Sequence, residues 1–301
     1  MPIREFFHLI HVVDDQDEAD AWYDAVFKPQ RFIQRNWSDV ERRWASLAMI
    51  GDFMIEVIEP GSGPQDHAAP LGRFRTRFGQ HFHSLAWYVD APDLRALFDE
   101  LRAHGVRIAQ PGGGIFPGGD VDPGPTIFTH PKDTFGQLEF VALDDFWREH
   151  DPRFGAAWTP SFWRDDHPLG IERVAHLTTV VTDVARARAL FEGPIGGRLL
   201  HAEESATAES AFVAVGSDSI VELARPTAPG SRLAADLAEA GELPHACAFK
   251  VADIEAAERH VEAVGVRVAD RSGNGFTLEP ADCFGAVYAF TSRIVPGDPR
   301  A

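Results

Sequence analysis

One sequence unit recurs four times along the chain, and this repeat constrains the fold more than any single motif. Each copy begins with an apolar strand that carries a histidine, continues into a helix preceded by Asp, and ends in another apolar strand. The copies begin at His8, His83, His176 and His245. A strand, a crossover helix and returning strands predict a βαβββ module, so we expect an α+β fold built from four such modules.

The spacing of the copies predicts two domains. The modules are expected at 3–62, 79–143, 171–227 and 243–293, which pair into an N-terminal domain over 1–146 and a C-terminal domain over 168–295. Residues 147–167, rich in Pro, Trp and charge, are interpreted as an ordered linker. Two βαβββ modules that pair side by side would enclose a cleft, and 301 residues of which 45% are apolar can form the cores required.

Charge and cysteine content exclude several classes of partner. The 28 basic and 46 acidic residues give a net charge of −18, which disfavours nucleic acid and anionic membranes. Cys247 and Cys283 are too few for a disulfide framework. With no leader-like or membrane-spanning segment visible, we expect a cytoplasmic protein that acts on a small molecule. The sequence is compatible with a homodimer.

Two glutamates stand out because of their strand neighbours. Alternation puts Glu56 on the strand face it shares with Met54 and Ile58, and Glu139 on the face it shares with Val141. An ionised carboxylate in apolar surroundings is tolerated when a cation compensates it. Either glutamate alone could instead face solvent, but a His and a Glu recur at equivalent strand positions in both of the first two modules.

The segment from His8 to Tyr23, with Asp15 and Ala19, and the run His130-Pro-Lys-Asp-Thr-Phe-Gly-Gln-Leu-Glu139 resemble the vicinal-oxygen-chelate superfamily. This superfamily contains glyoxalases, bleomycin-resistance proteins and extradiol dioxygenases. The resemblance covers nearly the whole chain, and its metal motif is similar to those of glyoxalase I and methylmalonyl-CoA epimerase. Phe135 departs from the pattern, since a glycine is usual at that position.

Strand position and resemblance together predict a metal site held by His8, Glu56, His83 and Glu139. Two imidazoles and two carboxylates suit one divalent ion, and Zn, Ni, Co, Mn and Fe are not distinguished. The resemblance implies that Glu139 is the leading catalytic base, with Glu56 as the opposing base or a simple ligand. The strand Trp44-Ala-Ser-Leu-Ala-Met lacks the further glutamate of the epimerases, which argues against that activity.

The register of the second module leaves two histidines in competition. His83 lies six residues before Val89, whereas His8 lies five before Val13, so His81 competes with His83 for the ligand position. A β-bulge would re-aim His83, which we prefer as the ligand. His11 is at odd spacing from His8 and is expected to pack on the opposite face.

The C-terminal half repeats the pattern incompletely. His176, Glu222 and His245 match the first three ligands, but the sequence pattern puts Tyr288 at the position of Glu139. A phenol can bind iron, although a neutral tyrosine is more often a packing residue. We therefore expect the C-terminal half to be a copy with a degenerate site that braces the N-terminal half.

The predicted function is that of a metal-dependent lyase or isomerase of the glyoxalase type. It would chelate vicinal oxygens of a carbonyl substrate and transfer a proton at the adjacent carbon. One alternative is an extradiol ring-cleaving dioxygenase, whose ligands lie in the C-terminal half in that family. The other is a metal-free binding or resistance protein.

Two further features fall between the first two modules and within the second. Arg73, Arg75 and Arg77 would share one face of an extended segment and could seat a carboxylate or phosphate, although a solvated edge is the more ordinary interpretation. The glycine-rich loop over 111–119 lacks the residues of a phosphate-binding loop and is predicted to be a flexible connection or a lid.

Overall fold

The computed structural model of the protein describes residues 3–301, so the first two residues of the predicted N-terminal domain lie outside it. The first of its two sheets has eight strands in the order β2-β3-β4-β1-β5-β8-β7-β6. These strands are β1 (Ile3–Val12), β2 (Gln30–Ser38), β3 (Arg43–Ile50), β4 (Phe53–Pro60), β5 (His81–Asp90), β6 (Ile108–Ala109), β7 (Thr126–Thr129) and β8 (Gln137–Leu143).

The second sheet repeats the first, in the order β10-β11-β12-β9-β13-β16-β15-β14. Its strands are β9 (Ile171–Val180), β10 (Arg198–Glu204), β11 (Ala208–Val215), β12 (Ser219–Pro226), β13 (Leu243–Val251), β14 (Val268–Ser272), β15 (Gly275–Leu278) and β16 (Val287–Thr291). In both sheets the first strand pairs parallel to the fourth and antiparallel to the fifth. The predicted α+β fold of four βαβββ modules is confirmed.

One long helix per module crosses between its strands, and aspartate opens three of these helices. Asp15, Asp183 and Asp253 each accept a hydrogen bond from the backbone N–H three residues later. No helix among residues 3–301 is long and apolar enough to cross a membrane. The helices are α1 (Gln16–Val26), α2 (Pro64–Ala68), α3 (Pro70–Phe78), α4 (Leu94–Ala103), α5 (Pro131–Thr134), α6 (Asp145–His150), α7 (Val184–Glu192), α8 (Arg232–Ala240) and α9 (Ile254–Ala263).

A continuous apolar core joins the two sheets. It contains Phe53, Ile55 and Val57 from β4 together with Phe249 and Tyr288 from the second sheet. Burial of so many aromatic and aliphatic side chains is the main stabilising contribution, at roughly 25 cal/mol per Å² of apolar surface. The opposite face of β4 contributes Met54 to a separate cluster, so the alternation predicted from the sequence holds along this strand.

Each half caps a strand of the other half with a carboxylate. Asp52, in the turn between β3 and β4, accepts a hydrogen bond of 3.1 Å from the backbone N–H of Val174 in β9. Asp218, in the turn before β12, accepts one of 2.7 Å from the N–H of Phe6 in β1. Desolvation raises the pKa of Asp52, and it raises that of Asp218 to about 7. The two halves are therefore joined by paired, pseudo-symmetric contacts.

Candidate metal and substrate site

The four predicted ligands lie on four adjacent strands of the first sheet. His8 is on β1, Glu56 on β4, His83 on β5 and Glu139 on β8, and these strands are neighbours in the order β4-β1-β5-β8. Because side chains alternate along a strand, Glu56 and Glu139 point away from the main core, to which Ile55 and Leu138 belong.

The structure brings three of the four side chains together. Nε2 of His8 lies 3.2 Å from Oε2 of Glu56 and 3.6 Å from Oε2 of Glu139. All three residues are at least 95% buried. Within the described chain neither ring nitrogen of His8 makes a hydrogen bond, although both are buried. Nε2 faces two carboxylate oxygens without a hydrogen bond and Nδ1 has no polar partner, so an ion bound at Nε2 would offset part of the free-energy cost of burying this ring.

His83 is linked to Glu139 by hydrogen bonds through Ser84. On β1 Leu9 and His11 are two residues apart, but their partners on β5, Leu85 and Phe82, are three apart, so β5 carries an extra residue. The predicted bulge is present at this point. Nδ1 of His83 is hydrogen-bonded to Oγ of Ser84 at 3.1 Å, and desolvation lowers the pKa of His83 to about 4.

Ser84 determines the tautomer of His83. Its hydroxyl donates to Oε1 of Glu139 at 2.6 Å, so its oxygen can only accept from the imidazole. His83 therefore carries its proton on Nδ1 and a lone pair on Nε2. A histidine that donates one ring N–H to a neighbour and keeps the other nitrogen free has the arrangement found in metal-binding histidines.

Glu139 is held in its charged form. Its Oε1 also accepts from Nε2 of Gln137 at 3.1 Å. Burial alone would raise the pKa of Glu139, but interactions with His8 and the Ser84 hydroxyl outweigh this effect and lower it. The carboxylate is therefore better suited to bind a cation than to take up a proton.

Two charged residues at this site were missed in the sequence. Arg43, at the start of β3, lies 3.0 Å from Oε1 of Glu56 and 2.9 Å from Oε2 of Glu41. Burial raises the pKa of Glu41 against the opposing effect of Arg43, and the charges of Glu56 and Glu139 raise it further. Glu41 precedes β3 in a turn, where strand alternation gives no signal, so only the tertiary structure reveals it.

A cleft of about 560 Å³ opens beside these residues. Glu41, His83 and Glu139 line it together with residues of α3 and of the loop around Gly113. A concave, mostly apolar pocket with a few convergent polar groups is typical of small-molecule sites.

The two histidines that neighbour the predicted ligands on β1 and β5, His11 and His81, have partners elsewhere. His81 is hydrogen-bonded at 3.1 Å to Asp236 of α8, which also binds His245. His11 lies on the core side as expected, where Nδ1 meets the Tyr23 hydroxyl at 2.7 Å and Nε2 meets the Phe284 carbonyl at 2.9 Å. Burial lowers the pKa of His11 to about 4, so it packs as a neutral residue.

The equivalence of Tyr288 with Glu139 is wrong by one residue. Parallel pairing aligns Ala86 with Glu139 in the first sheet and Ala248 with Ala289 in the second. Tyr288 instead points into the core, where its hydroxyl is hydrogen-bonded to that of Tyr23 at 2.5 Å. A shift of one residue moves a side chain to the other face of a strand, which is why the error changes the chemistry.

The second half retains part of the site. Nε2 of His176 lies 3.5 Å from Oε2 of Glu222, the counterpart of the pair formed by His8 and Glu56. His245 is directed to Asp236, with Nδ1 at 2.5 Å from Oδ2. Ala289 occupies the position that corresponds to Glu139. The second site is therefore incomplete, as predicted, but the residue that replaces the glutamate is Ala289 and not Tyr288.

The extended segment predicted for the arginines between the modules is also wrong. Residues Pro70–Phe78 form helix α3, because Pro70 occupies the first turn and Gly79, with a φ of 70°, ends it. Arg73 and Arg77, four residues apart, line the cleft, whereas Arg75 turns away and pairs with Asp14 at 2.6 Å.

The spacing of the predicted ligand side chains fits a divalent ion in part. Ligands about 2.1 Å from a tetrahedral ion are about 3.4 Å from one another, which is close to the 3.2 and 3.6 Å separations around His8. An ion bound at Nε2 would also give a partner to that one of the two buried ring nitrogens of His8. Across residues 3–301, no three His, Cys, Asp or Glu side chains already stand in a complete metal-ligating arrangement.

Comparisons with known proteins agree with the doubled architecture. A sequence profile of the Glyoxalase/Bleomycin resistance protein/Dioxygenase superfamily matches residues 175–278. A triple mutant of 4-hydroxymandelate synthase from Streptomyces coelicolor superimposes with a TM-score of 0.67 at 15% identity, over 97% of this chain and 94% of that chain. No curated protein sequence matches the chain.

A second solved structure extends over the same length. It is 2,2',3-trihydroxybiphenyl 1,2-dioxygenase from the dibenzofuran-degrading Sphingomonas wittichii strain RW1, with a TM-score of 0.57 at 14% identity, over 99% of this chain and 94% of that chain. These two likenesses show a doubled fold of paired βαβββ modules. The family match covers residues 175–278, so this part of the C-terminal half is similar in sequence to that superfamily.

Proposed function

We propose that the protein is a divalent-metal-dependent enzyme that transfers a proton at the carbon next to a carbonyl group of a small substrate. The convergence of His8, Glu56 and Glu139 beside a cleft carries this proposal. His8, Glu56, His83 and Glu139 would hold the ion, with His83 binding through the lone pair of Nε2. When bound, the ion would polarise the substrate carbonyl as a Lewis acid and favour loss of the adjacent proton.

Glu41 is the better candidate for moving the proton. Oε1 of Glu139 already accepts from Ser84 and Gln137, its Oε2 faces His8, and its lowered pKa weakens it as a base. Glu41 lines the cleft, its side chain is 30% exposed, and its pKa is raised. General bases work best with a pKa near the working pH, so the raised pKa favours Glu41 for this role. Glu139 and Glu56 then act mainly as ligands, with Glu139 the alternative base.

Arg43 would keep these carboxylates together. It lies between Glu41 and Glu56 and neutralises part of their mutual repulsion. Ser84 and Gln137 fix the orientation of Glu139.

Oxygen-dependent oxidation of an aromatic substrate is the second candidate function. The chain-long likeness to 2,2',3-trihydroxybiphenyl 1,2-dioxygenase supports it. Two carboxylates and two imidazoles would occupy four positions of the ion, which leaves fewer for oxygen and a diol and so favours proton transfer. A metal-free binding protein is the remaining alternative.

The test combines metal analysis with two activity readouts. Bound metal is quantified in the purified protein, and deuterium exchange and oxygen uptake are followed with 2-oxo thiohemiacetals, acyl-CoAs and catechols. We expect exchange next to the carbonyl without oxygen uptake. In Glu41→Gln the exchange rate should fall about 100-fold or more while metal content is retained.

Glu209→Gln provides the matched control, since Glu209 lies on β11 and pairs with Arg225 at 2.6 Å, outside the cleft. It should leave both metal content and exchange unchanged. Oxygen uptake with a catechol, without deuterium exchange, would favour the oxidation of an aromatic substrate over proton transfer. A purified protein that binds no metal would refute both of these proposed activities.

A further inference from the structure

The part of the cleft formed by helix α3 differs from the carboxylate end in charge. Arg73 and Arg77 line it, one turn of helix apart. Within residues 3–301 neither guanidinium lies within 4.0 Å of a carboxylate, whereas Arg75 of the same helix pairs with Asp14. In a chain of net charge −18, two adjacent cations without a carboxylate partner form a local exception.

Aromatic rings connect the two ends of the cleft. The ring of Phe74 meets that of His83 edge-on, with centroids 4.6 Å apart. The ring of Phe78 is a second aromatic neighbour of Phe74, with centroids 4.9 Å apart. The guanidinium of Arg77 lies 4.9 Å from the Phe78 ring. The wall of the cleft thus passes from a metal-binding residue, over two aromatic rings, to a cation.

The glycine-rich loop faces Arg73. Gly112, Gly113 and Gly114 all have positive φ, between 78° and 113°, and line the cleft. A Cβ placed on Gly113 would lie 3.5 Å from Pro70 and 4.0 Å from an Arg73 nitrogen. The loop therefore packs closely against the start of α3 and borders the space beside Arg73.

We propose that Arg73 and Arg77 bind an anionic group of the substrate. The substrate class would be an amphiphilic small anion, with chelating oxygens near His83, an apolar body along Phe74 and Phe78, and a carboxylate, sulfonate or phosphate at the arginines. Guanidinium groups recognise such anions by charge-assisted hydrogen bonds. The inference deepens the proposed function, on which its chelating end rests.

A pair of isosteric probes tests the anion seat separately from the metal. We use 2-naphthalenesulfonate, a poor metal ligand, and the neutral methyl 2-naphthyl sulfone, and measure their dissociation constants by calorimetry. The unaltered protein should bind the sulfonate about tenfold more tightly or better. In Arg73→Gln/Arg77→Gln that preference should fall to about twofold or less, with sulfone binding unchanged.

Arg75→Gln is the control, because it removes one positive charge from the same helix on the side away from the cleft. It should keep the preference for the sulfonate. Any of three results overturns the proposal. The double variant keeps its preference for the sulfonate, the double variant loses affinity for both probes equally, or the unaltered protein binds neither probe. Metal content, measured in the same samples, reports on the proposed function independently, since the arginine variants should leave it unchanged.

Discussion

The two halves of the protein share a fold but differ in what they do with the same pair of side chains. In the N-terminal half, His8 and Glu56 have side chains that are only 5% and 7% exposed. In the C-terminal half the equivalent His176 and Glu222 are 20% and 16% exposed. The carboxylate of Glu222 accepts hydrogen bonds of 2.7 Å from both Thr178 and Ser210, so it is satisfied without a cation.

The residues that support the first site are missing from the second. Strand pairing places Ala208 where the first half has Arg43, and Ala246 where it has Ser84. Val287 replaces Gln137, and Ala289 replaces Glu139. The fold survives these changes because none of them alters the core face of a strand, whereas the proposed metal site uses every one of the residues that differ.

The sharpest test of this contrast removes one ligand from each half. Glu139→Gln keeps the shape of the side chain but removes its charge, and should weaken metal binding by at least about 100-fold. Glu222→Gln should leave the affinity unchanged, because this carboxylate already has two hydroxyl donors. Metal titration of both variants measures the difference. Equal losses in the two variants would mean that the metal does not belong to the N-terminal half.

The opposite experiment attempts to restore the second site. Ala289→Glu returns a carboxylate to the strand position that corresponds to Glu139, beside His176 and Glu222. We expect a second metal equivalent, bound more than tenfold more weakly than the first because the supporting serine and glutamine are absent. Equilibrium dialysis counts the ions. If stoichiometry stays at one even at millimolar metal, the equivalence of Ala289 with Glu139 is insufficient to explain the contrast.

A third variant makes the first site resemble the second. Ser84→Ala reproduces the alanine found at position 246 and removes the link between His83 and Glu139. Loss of such a supporting hydrogen bond should weaken metal binding about tenfold. Thermal unfolding serves as the control, since a small buried substitution should preserve the fold. An affinity equal to that of the unaltered protein would show that Ser84 does not orient these ligands.

The smallest expected effect concerns the contacts between the halves. The pKa of Asp218 in the folded protein, about 7, lies above its unfolded value of about 3.9, so its contribution to stability is present at low pH and is lost as pH rises through 7. Asp218→Asn should therefore gain stability relative to the unaltered protein between pH 4 and 8. Since the carboxyl is partly exposed, we expect a relative gain of about 1 kcal/mol.

Denaturant unfolding at several pH values measures this gain. Asp52→Asn, the pseudo-symmetric counterpart, should show a change in the same direction, because desolvation raises the pKa of Asp52 as well. A gain that does not depend on pH would show that Asp218 is already neutral, or already solvated, throughout this range.

Much of the site could be predicted from the sequence because alternation along a strand is a strict geometric rule. Alternation predicts that Glu56 shares a face with Met54 and that Glu139 shares one with Val141, and both carboxylates lie beside His8. The bulge that re-aims His83 was predicted from a one-residue difference in spacing. These inferences needed only the repeat and the direction of neighbouring side chains.

Other features could not be predicted from local pattern. Tyr288 was matched to Glu139 because the lengths of the loops before the last strands hide a register difference of one residue. The arginines of α3 were assigned to a strand because three charged residues in alternation also fit a short helix. Glu41 lies in a turn, where neither helical nor strand periodicity applies.

The sequence by itself determined the number of modules, the strands that carry the histidines and glutamates, and the face on which these glutamates lie, since burial of apolar side chains fixes these locally. The tertiary structure alone decided which side chains meet. Contacts between His8 and Glu139, or between Arg43 and Glu41, depend on register, bulges and turns, whose small displacements are set by packing across the whole sheet. The four predicted ligands therefore follow from the repeat, but their partners and the cleft beside them follow from the folded chain.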